Sequence, residues 1–237
     1  VLKNNLISIV SHELRTPLTS IKGAIGLLSS GMLCDIPDKA QDLLNIATSN
    51  ITRLNSIIND MLDIEKIKAG KMDFQFKEYD VQTLVDDAIR ANENYAAENN
   101  VKIKTGNKIF DVKINVDNGR FNQILTNLLS NAAKHATSNT DIIIDAETVG
   151  NNARISITNQ GEGIPEDIGK KVFDSFYQIA NQINKKKKGT GLGLNLCKFL
   201  TEHMDGQINY HSTIGETTTF YIDFPIVKPL EESKNVL

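Results

Sequence analysis

The sequence predicts two dissimilar parts in a multidomain chain: an all-α helical hairpin over residues 1–70, then an α/β domain over residues 71–228. Three observations carry this. Apolar residues recur at three- and four-residue steps through the first part, the period of an amphipathic helix. From residue 72 onward, short alternating segments are interspersed with helical ones, the pattern of an α/β domain. The length of 237 residues accommodates one or two domains at ~150 residues each, and 40% apolar residues suffice for packed cores.

Residues 1–30 form the first helix on the recurrence of Leu6, Ile9, Val10, Leu14, Leu18, Ile21, Ile25 and Leu28. Pro17 lies inside it and is expected to bend it, because proline donates no hydrogen bond and crowds the preceding turn. Gly31 to Pro37 reads as a short turn. A second helix runs from about Asp38 to Ala69, with Leu43, Ile46, Ile51, Leu54, Ile58, Met61 and Leu62 on its stripe, and Gly70 ends it. Two helices of this length cannot bury such stripes on each other alone. A hairpin that dimerises into a four-helix bundle solves the problem.

In the second part, residues 72–76 and 101–105 alternate like strands. Val81 to Glu98 is a helix, Ile114 to Val116 a short strand, and Arg120 to Ala136 a strongly periodic helix. Ile142 to Val149 and Arg154 to Thr158 read as a hairpin around Gly150-Asn151. Gly161 to Thr190 is long and irregular, with a lysine run. Leu192 to Met204 is a helix, and Gln207 to His211 and Thr218 to Phe224 are strands, the last stopped by Pro225. Residues 229–237 are expected to be a flexible polar tail.

Composition narrows the function classes. A net charge of -3 offers no global basic field for nucleic acid or an anionic membrane. Cys34 and Cys197 stand far apart in no metal spacing and read as reduced cytosolic thiols. No apolar run approaches the ~18 residues of a spanning helix, so no direct membrane contact is expected of this stretch. No signal peptide is evident. The chain opens inside an amphipathic pattern, so the expectation is a cytoplasmic piece cut from a longer protein.

Four short segments carry chemistry. The first is Ser11-His12-Glu13-Leu14-Arg15-Thr16-Pro17-Leu18. A neutral imidazole is a good nucleophile at neutral pH. Glu13 is a candidate to accept the other ring N–H of His12 and settle its tautomer. Thr16 follows His12 by four residues, on the same helical face. The second is Asn127-Leu128-Leu129-Ser130-Asn131-Ala132-Ala133-Lys134-His135, in which Asn127, Asn131 and Lys134 share one face. An Asn carbonyl is a hard oxygen ligand suited to Mg²⁺, and Lys134 supplies positive charge to phosphates. The third is Asn159-Gln160-Gly161-Glu162-Gly163-Ile164-Pro165, whose glycines permit close backbone approach. The fourth, Gly189-Thr190-Gly191-Leu192-Gly193-Leu194, opens a helix, and helix-terminal N–H groups suit phosphate. It lacks Gly-Lys-Ser/Thr, so it is no Walker loop, and no strand runs straight into it as in a dinucleotide fingerprint.

The His12 segment resembles the phosphoacceptor box of sensor histidine kinases, and the other three resemble the nucleotide boxes of that family, in the family's order and spacing over nearly the whole chain. The resemblance implies a dimerisation and phosphotransfer hairpin, then an α/β sandwich that binds ATP and Mg²⁺. It implies autophosphorylation on His12 and transfer to an aspartate on a response regulator receiver domain, with Glu13 and Thr16 completing the catalytic set. Thr16 takes the family's phosphatase position. Nucleotide contacts implied are Asn127, Asn131 (with Mg²⁺), Lys134, Asn159, Gly161, Gly163, Ile164, Phe176, Gly189, Thr190, Gly191, Leu192, Gly193, Leu194 and Thr218. Phe173 and Phe176 stand where the family has its lid phenylalanines, and both read equally as core aromatics. Lys185 to Lys188 precede the glycines and read first as a solvated loop. Two departures stand out: Asn159 replaces an aspartate, and Thr217 replaces a glycine. Asn159 opens a second reading, a degenerate kinase acting as phosphatase or regulatory scaffold. Chaperone and mismatch-repair ATPases share the nucleotide fold, but they use no histidine acceptor.

Overall fold

The computed structural model describes residues 2–30, 36–177 and 190–227, with side chains from Thr16 onward. The chain divides into two compact units, Val1–Met72 and Asp73–Leu237.

The first unit is the helical hairpin, α1 (Leu2–Ser29) and α2 (Asp38–Lys68). Pro17 lies within a helix that continues past it. Leu18, Ile51 and Ile58 are buried together, with Ile25 and Leu62 packed against them. Much of the remaining stripe is uncovered. Ile21, Leu27, Leu28, Leu43, Ile46 and Leu54 are all exposed, Leu43 at 67%. One hairpin therefore buries only one side of its apolar surface.

The second unit carries β1 (Lys77–Asp80), α3 (Val81–Glu98), β2 (Lys102–Thr105), β3 (Lys113–Val116) and α4 (Asn118–His135). These are followed by β4 (Asp141–Val149), β5 (Asn152–Gln160), a 3₁₀ helix (Glu166–Phe173), α5 (Gly193–His203), β6 (Gln207–Thr213) and β7 (Thr217–Pro225). A five-stranded sheet has the order β2-β4-β5-β7-β6. Its β2–β4 pair is parallel and the rest are antiparallel. β1 and β3 form a separate antiparallel pair. The central strands bury alternate residues. Their inner rows, with Ile155 and Ile157 on β5 and Phe220, Ile222 and Phe224 on β7, meet Phe121, Ile124, Leu125 and Leu128 of α4. Phe121 and Phe224 are 5.6 Å apart between ring centroids. On the outer face Arg154 grips Asp223 with two 2.7 Å bonds across the β5–β7 pair, over the ring of Tyr221. That fork raises the Arg154 pKa further.

The two long helices after β1 and β3 begin at aspartates. Asp80 accepts from the Thr83 N–H at 2.9 Å and Asp117 from the Arg120 N–H at 3.0 Å. The expected strand at 72–76 does not form, and the ladder begins at Lys77. The alternation there serves side-chain stacking: Phe74 stacks on Phe76 at 5.7 Å and on His203 at 6.3 Å. The Gln75 N–H goes to the second oxygen of Asp117, at 2.8 Å, rather than to a strand. The stretch after Gly161 is not wholly irregular either, since Glu166–Phe173 is 3₁₀ helix, broken at Gly169 by a φ of 49°.

Candidate functional site

The site in the second unit grows from the last inward position of β5. Ala153, Ile155 and Ile157 face the helices, so alternation turns Asn159 inward too, where it is 4% exposed. Its register partner on β7 is Thr218, also buried. The Asn159 Nδ2 donates to the Gln160 carbonyl at 3.3 Å, a long bond. Thr218 Oγ1 lies 2.8 Å from Ser212 Oγ on β6. The same Ser212 oxygen accepts the Ile164 N–H at 2.9 Å and donates to the Thr217 carbonyl at 3.1 Å. Ser212 thus fastens the Gly163-Ile164 turn to Thr218.

The glycines of this turn have a role the sequence did not reveal. A Cβ on Gly161 would sit 2.3 Å from the His135 carbonyl oxygen, at the end of α4. The Thr137 N–H donates to the Gln160 carbonyl at 2.8 Å and the Gly161 N–H to the Glu216 carbonyl at 3.0 Å. Gly163 has a φ of 77°, and its Cβ would meet Ile214 Cα and the Thr213 carbonyl oxygen at 2.7 Å. At both positions the chain's own backbone occupies the space that the missing side chain leaves.

The other wall is α4 and the start of α5. Asn127, Asn131 and Lys134 are half-buried on one side of α4. Asn127 Nδ2 is buried without a hydrogen-bond partner among the described residues. Its Oδ1 is 3.6 Å from where a Gly193 Cβ would stand. An unpaired buried amide costs ~1–3 kcal/mol, so it marks a place where a partner belongs. Gly193 opens α5, whose N-cap, Leu192, has no side-chain cap among the described residues. Thr190 Oγ1 accepts the Leu192 N–H at 3.2 Å. Gly191 takes a φ of 72° and accepts the Phe176 N–H at 2.8 Å, with Phe176 itself at φ 63° and 62% exposed. From Asn127 to His135, α4 spans about 12 Å at ~1.5 Å per residue. One helix thus links the Gly193 end to the Asn159–Gly161 end. Phe173 is a core aromatic, edge-on to Tyr210 and Phe220.

His12, Glu13 and Thr16 lie on α1 of the first unit, where the Thr16 side chain is exposed. Gly189, the lysines at 185–188 and Cys34 lie outside the described residues. Two polar residues escaped the sequence reading. Ser212 occupies the inward row of β6, and Asn195 the buried face of α5 beside Leu192, Leu196 and Cys197. The signal for both is a polar residue in phase with apolar neighbours.

Residues 2–70 match the His Kinase A (phospho-acceptor) domain. Residues 116–228 match the histidine kinase-, DNA gyrase B- and HSP90-like ATPase family. The chain is 33% identical over 233 residues to the non-motile and phage-resistance protein of Caulobacter vibrioides, covering 94% of this chain and 27% of that one. It is 31% identical to a sensor-like histidine kinase of Rhizobium meliloti, covering 94% of this chain and 43% of that one. The chain thus spans less than half the length of these relatives. Full-length ShkA, solved in complex with AMPPNP, shares the fold with a TM-score of 0.76 at 22% identity, over 95% of this chain and 46% of that one. With the phosphoacceptor domain ahead of the ATPase domain and both in one chain, this protein belongs to the sensor histidine kinases.

Proposed function

We propose that this chain is the catalytic core of a two-component sensor histidine kinase. In this reading it moves the γ-phosphoryl group of ATP to His12 and then to an aspartate of a response regulator receiver domain. The observation that carries the reading is the buried Asn127 Nδ2, without a partner among the described residues, beside the start of α5, in a chain that also bears the His12 box. An orphan donor next to helix-terminal N–H groups suits a phosphate chain.

The roles follow from residue chemistry. Asn159 and Thr218 hold the base end, with Gly161, Gly163 and Ile164 forming its edge. Asn127, Lys134 and the Thr190–Leu194 backbone, continuing from Gly189, hold the phosphates. Phe176 covers the approach. Asn131 fits Mg²⁺, which takes few protein oxygens and leans on phosphate oxygens and water. When bound, Mg²⁺ neutralises charge on the transferring group. A neutral His12 nitrogen attacks the γ-phosphorus, the bond to the bridging oxygen breaks, and ADP leaves. Glu13 accepts the remaining ring N–H and stabilises the positive charge. Thr16 orients water for hydrolysis of phosphohistidine or phosphoaspartate, which releases inorganic phosphate. The exposed apolar residues of α1 and α2 fit a homodimer, in which two hairpins cover each other as a four-helix bundle.

Incubation with γ-labelled ATP and Mg²⁺, followed by acid treatment, tests this. Wild type should take up acid-labile label, and His12→Gln should take up none while still binding ATP. Normal labelling of the variant would overturn the assignment. Nucleotide binding by wild type with no labelling of His12 would favour the scaffold reading that Asn159 raises.

A further inference from the structure

The geometry points to Asn195 as a positioning residue for the phosphate end of the site, a deepening that rests on the nucleotide reading above. Asn195 sits in the first turn of α5, two residues after Gly193, and is 6% exposed. A side chain at this point of a helix commonly turns back to cap its own N-terminus. This one does not. Its Nδ2 donates to the Phe173 carbonyl at 2.8 Å, and its Oδ1 accepts the Ser175 hydroxyl at 2.9 Å. Both ends of the amide are therefore spent on the turn that follows the 3₁₀ helix.

That turn reaches the site one residue later. The Phe176 N–H donates to the Gly191 carbonyl at 2.8 Å. The two backbones pack so closely that a Cβ on Gly191 would lie 2.8 Å from Phe176 Cα. Asn195 thus fixes Phe173 and Ser175, Phe176 fixes Gly191, and Gly191 leads into Leu192 and the uncapped N–H groups of α5. A second tether holds the far end of the same segment. The Tyr210 hydroxyl donates to the Gly169 carbonyl at 3.0 Å, and burial raises the Tyr210 pKa. Asn195 is the tether that arises from the phosphate-facing helix itself. It reaches the site through Gly191 and touches no substrate in this account. Loss of its amide releases the turn, widens the placement of the Gly191–Gly193 backbone, and weakens contacts to phosphates while leaving the Asn159–Thr218 end intact.

The test compares the 237-residue chain with Asn195→Ala and Ser175→Ala. Each is titrated with AMPPNP and with AMP, and saturation curves for His12 labelling are recorded. Asn195→Ala should raise the KM for ATP about five- to tenfold, the scale of one or two net hydrogen bonds. Its maximal rate should stay within about twofold. Affinity for AMPPNP should fall while affinity for AMP does not, because only the phosphate end moves. Ser175→Ala, which loses the more exposed of the two bonds, should show a smaller shift in the same direction. It serves alone if Asn195→Ala does not fold. Wild type that binds AMPPNP alongside variants with unchanged KM and unchanged AMPPNP-to-AMP ratio overturns the proposal. So does a loss confined to the fraction of active protein. Wild type that binds no AMPPNP overturns the nucleotide reading, and this inference with it.

Discussion

The replacement Asn127→Leu separates stability from function at the site. Leucine nearly matches asparagine in shape and carries no donor. Asn127 Nδ2 is buried with no partner among the described residues, so without a bound partner the native state bears a desolvation cost that the unfolded chain does not. A buried unsatisfied group of this kind costs ~1–3 kcal/mol. On the side of Gly193, even a Cβ there would stand at ordinary van der Waals distance, 3.6 Å from Asn127 Oδ1, so the leucine methyls meet no clash on that side. Removing the cost should raise the melting temperature of the protein without nucleotide. At ~2–4 °C per kcal/mol for a domain of this size, the rise is about 2–12 °C. The same change removes a phosphate contact. Wild type at a hundredfold excess of AMPPNP over its Kd should gain ~2.7 kcal/mol of stability. Losing one bond to a charged group weakens binding about ten- to a hundredfold, so at the same concentration the variant should gain only ~0.4–1.4 kcal/mol. Differential scanning fluorimetry with and without AMPPNP and Mg²⁺ reads both effects on one sample. A lower melting temperature without nucleotide would show that the amide is structurally satisfied. A retained AMPPNP shift would show that Asn127 lies outside the nucleotide site.

The remaining predictions concern single positions. Thr16→Ala should slow dephosphorylation of a partner regulator more than it slows His12 labelling; equal loss of both in parallel assays points to a folding defect near Pro17 instead. Asn159→Asp should tighten ATP binding about five- to thirtyfold, since a charged acceptor is worth ~1–2 kcal/mol more than a neutral one and only a 3.3 Å bond to Gln160 is given up. Unchanged or weaker binding by calorimetry would remove Asn159 from the base contacts. Gly161→Ala should destabilise the second unit by ~1–3 kcal/mol, because its Cβ would stand 2.3 Å from the backbone oxygen of His135 and neither backbone can yield cheaply. A denaturant midpoint equal to that of wild type would refute that packing.

Periodicity made the helices legible. Val81–Glu98 forms over the span its apolar pattern marks out, and α2 ends where Gly70 follows it. The strand read at Arg154 to Thr158 extends in the structure through Gln160, and its alternation puts Asn159 on the buried face of Ile155 and Ile157. These properties are local, because helical period and strand alternation are set by the backbone of the segment itself. The four chemical boxes were legible for the same reason, since each is a contiguous run. What needed the tertiary structure was every decision that depends on a second segment. Residues 72–76 have a strand's alternation, but a strand exists only with a ladder partner, and the Gln75 N–H found Asp117 instead. Gly161 and Gly163 read as openings for a ligand, yet His135 and Ile214, distant in sequence, fill the space beside them. Asn195 and Ser212 looked like incidental polar residues until the fold brought Phe173 and Ile164 within hydrogen-bond reach. A buried polar group acquires its role from its partner, and partners separated by twenty or more residues are chosen by packing.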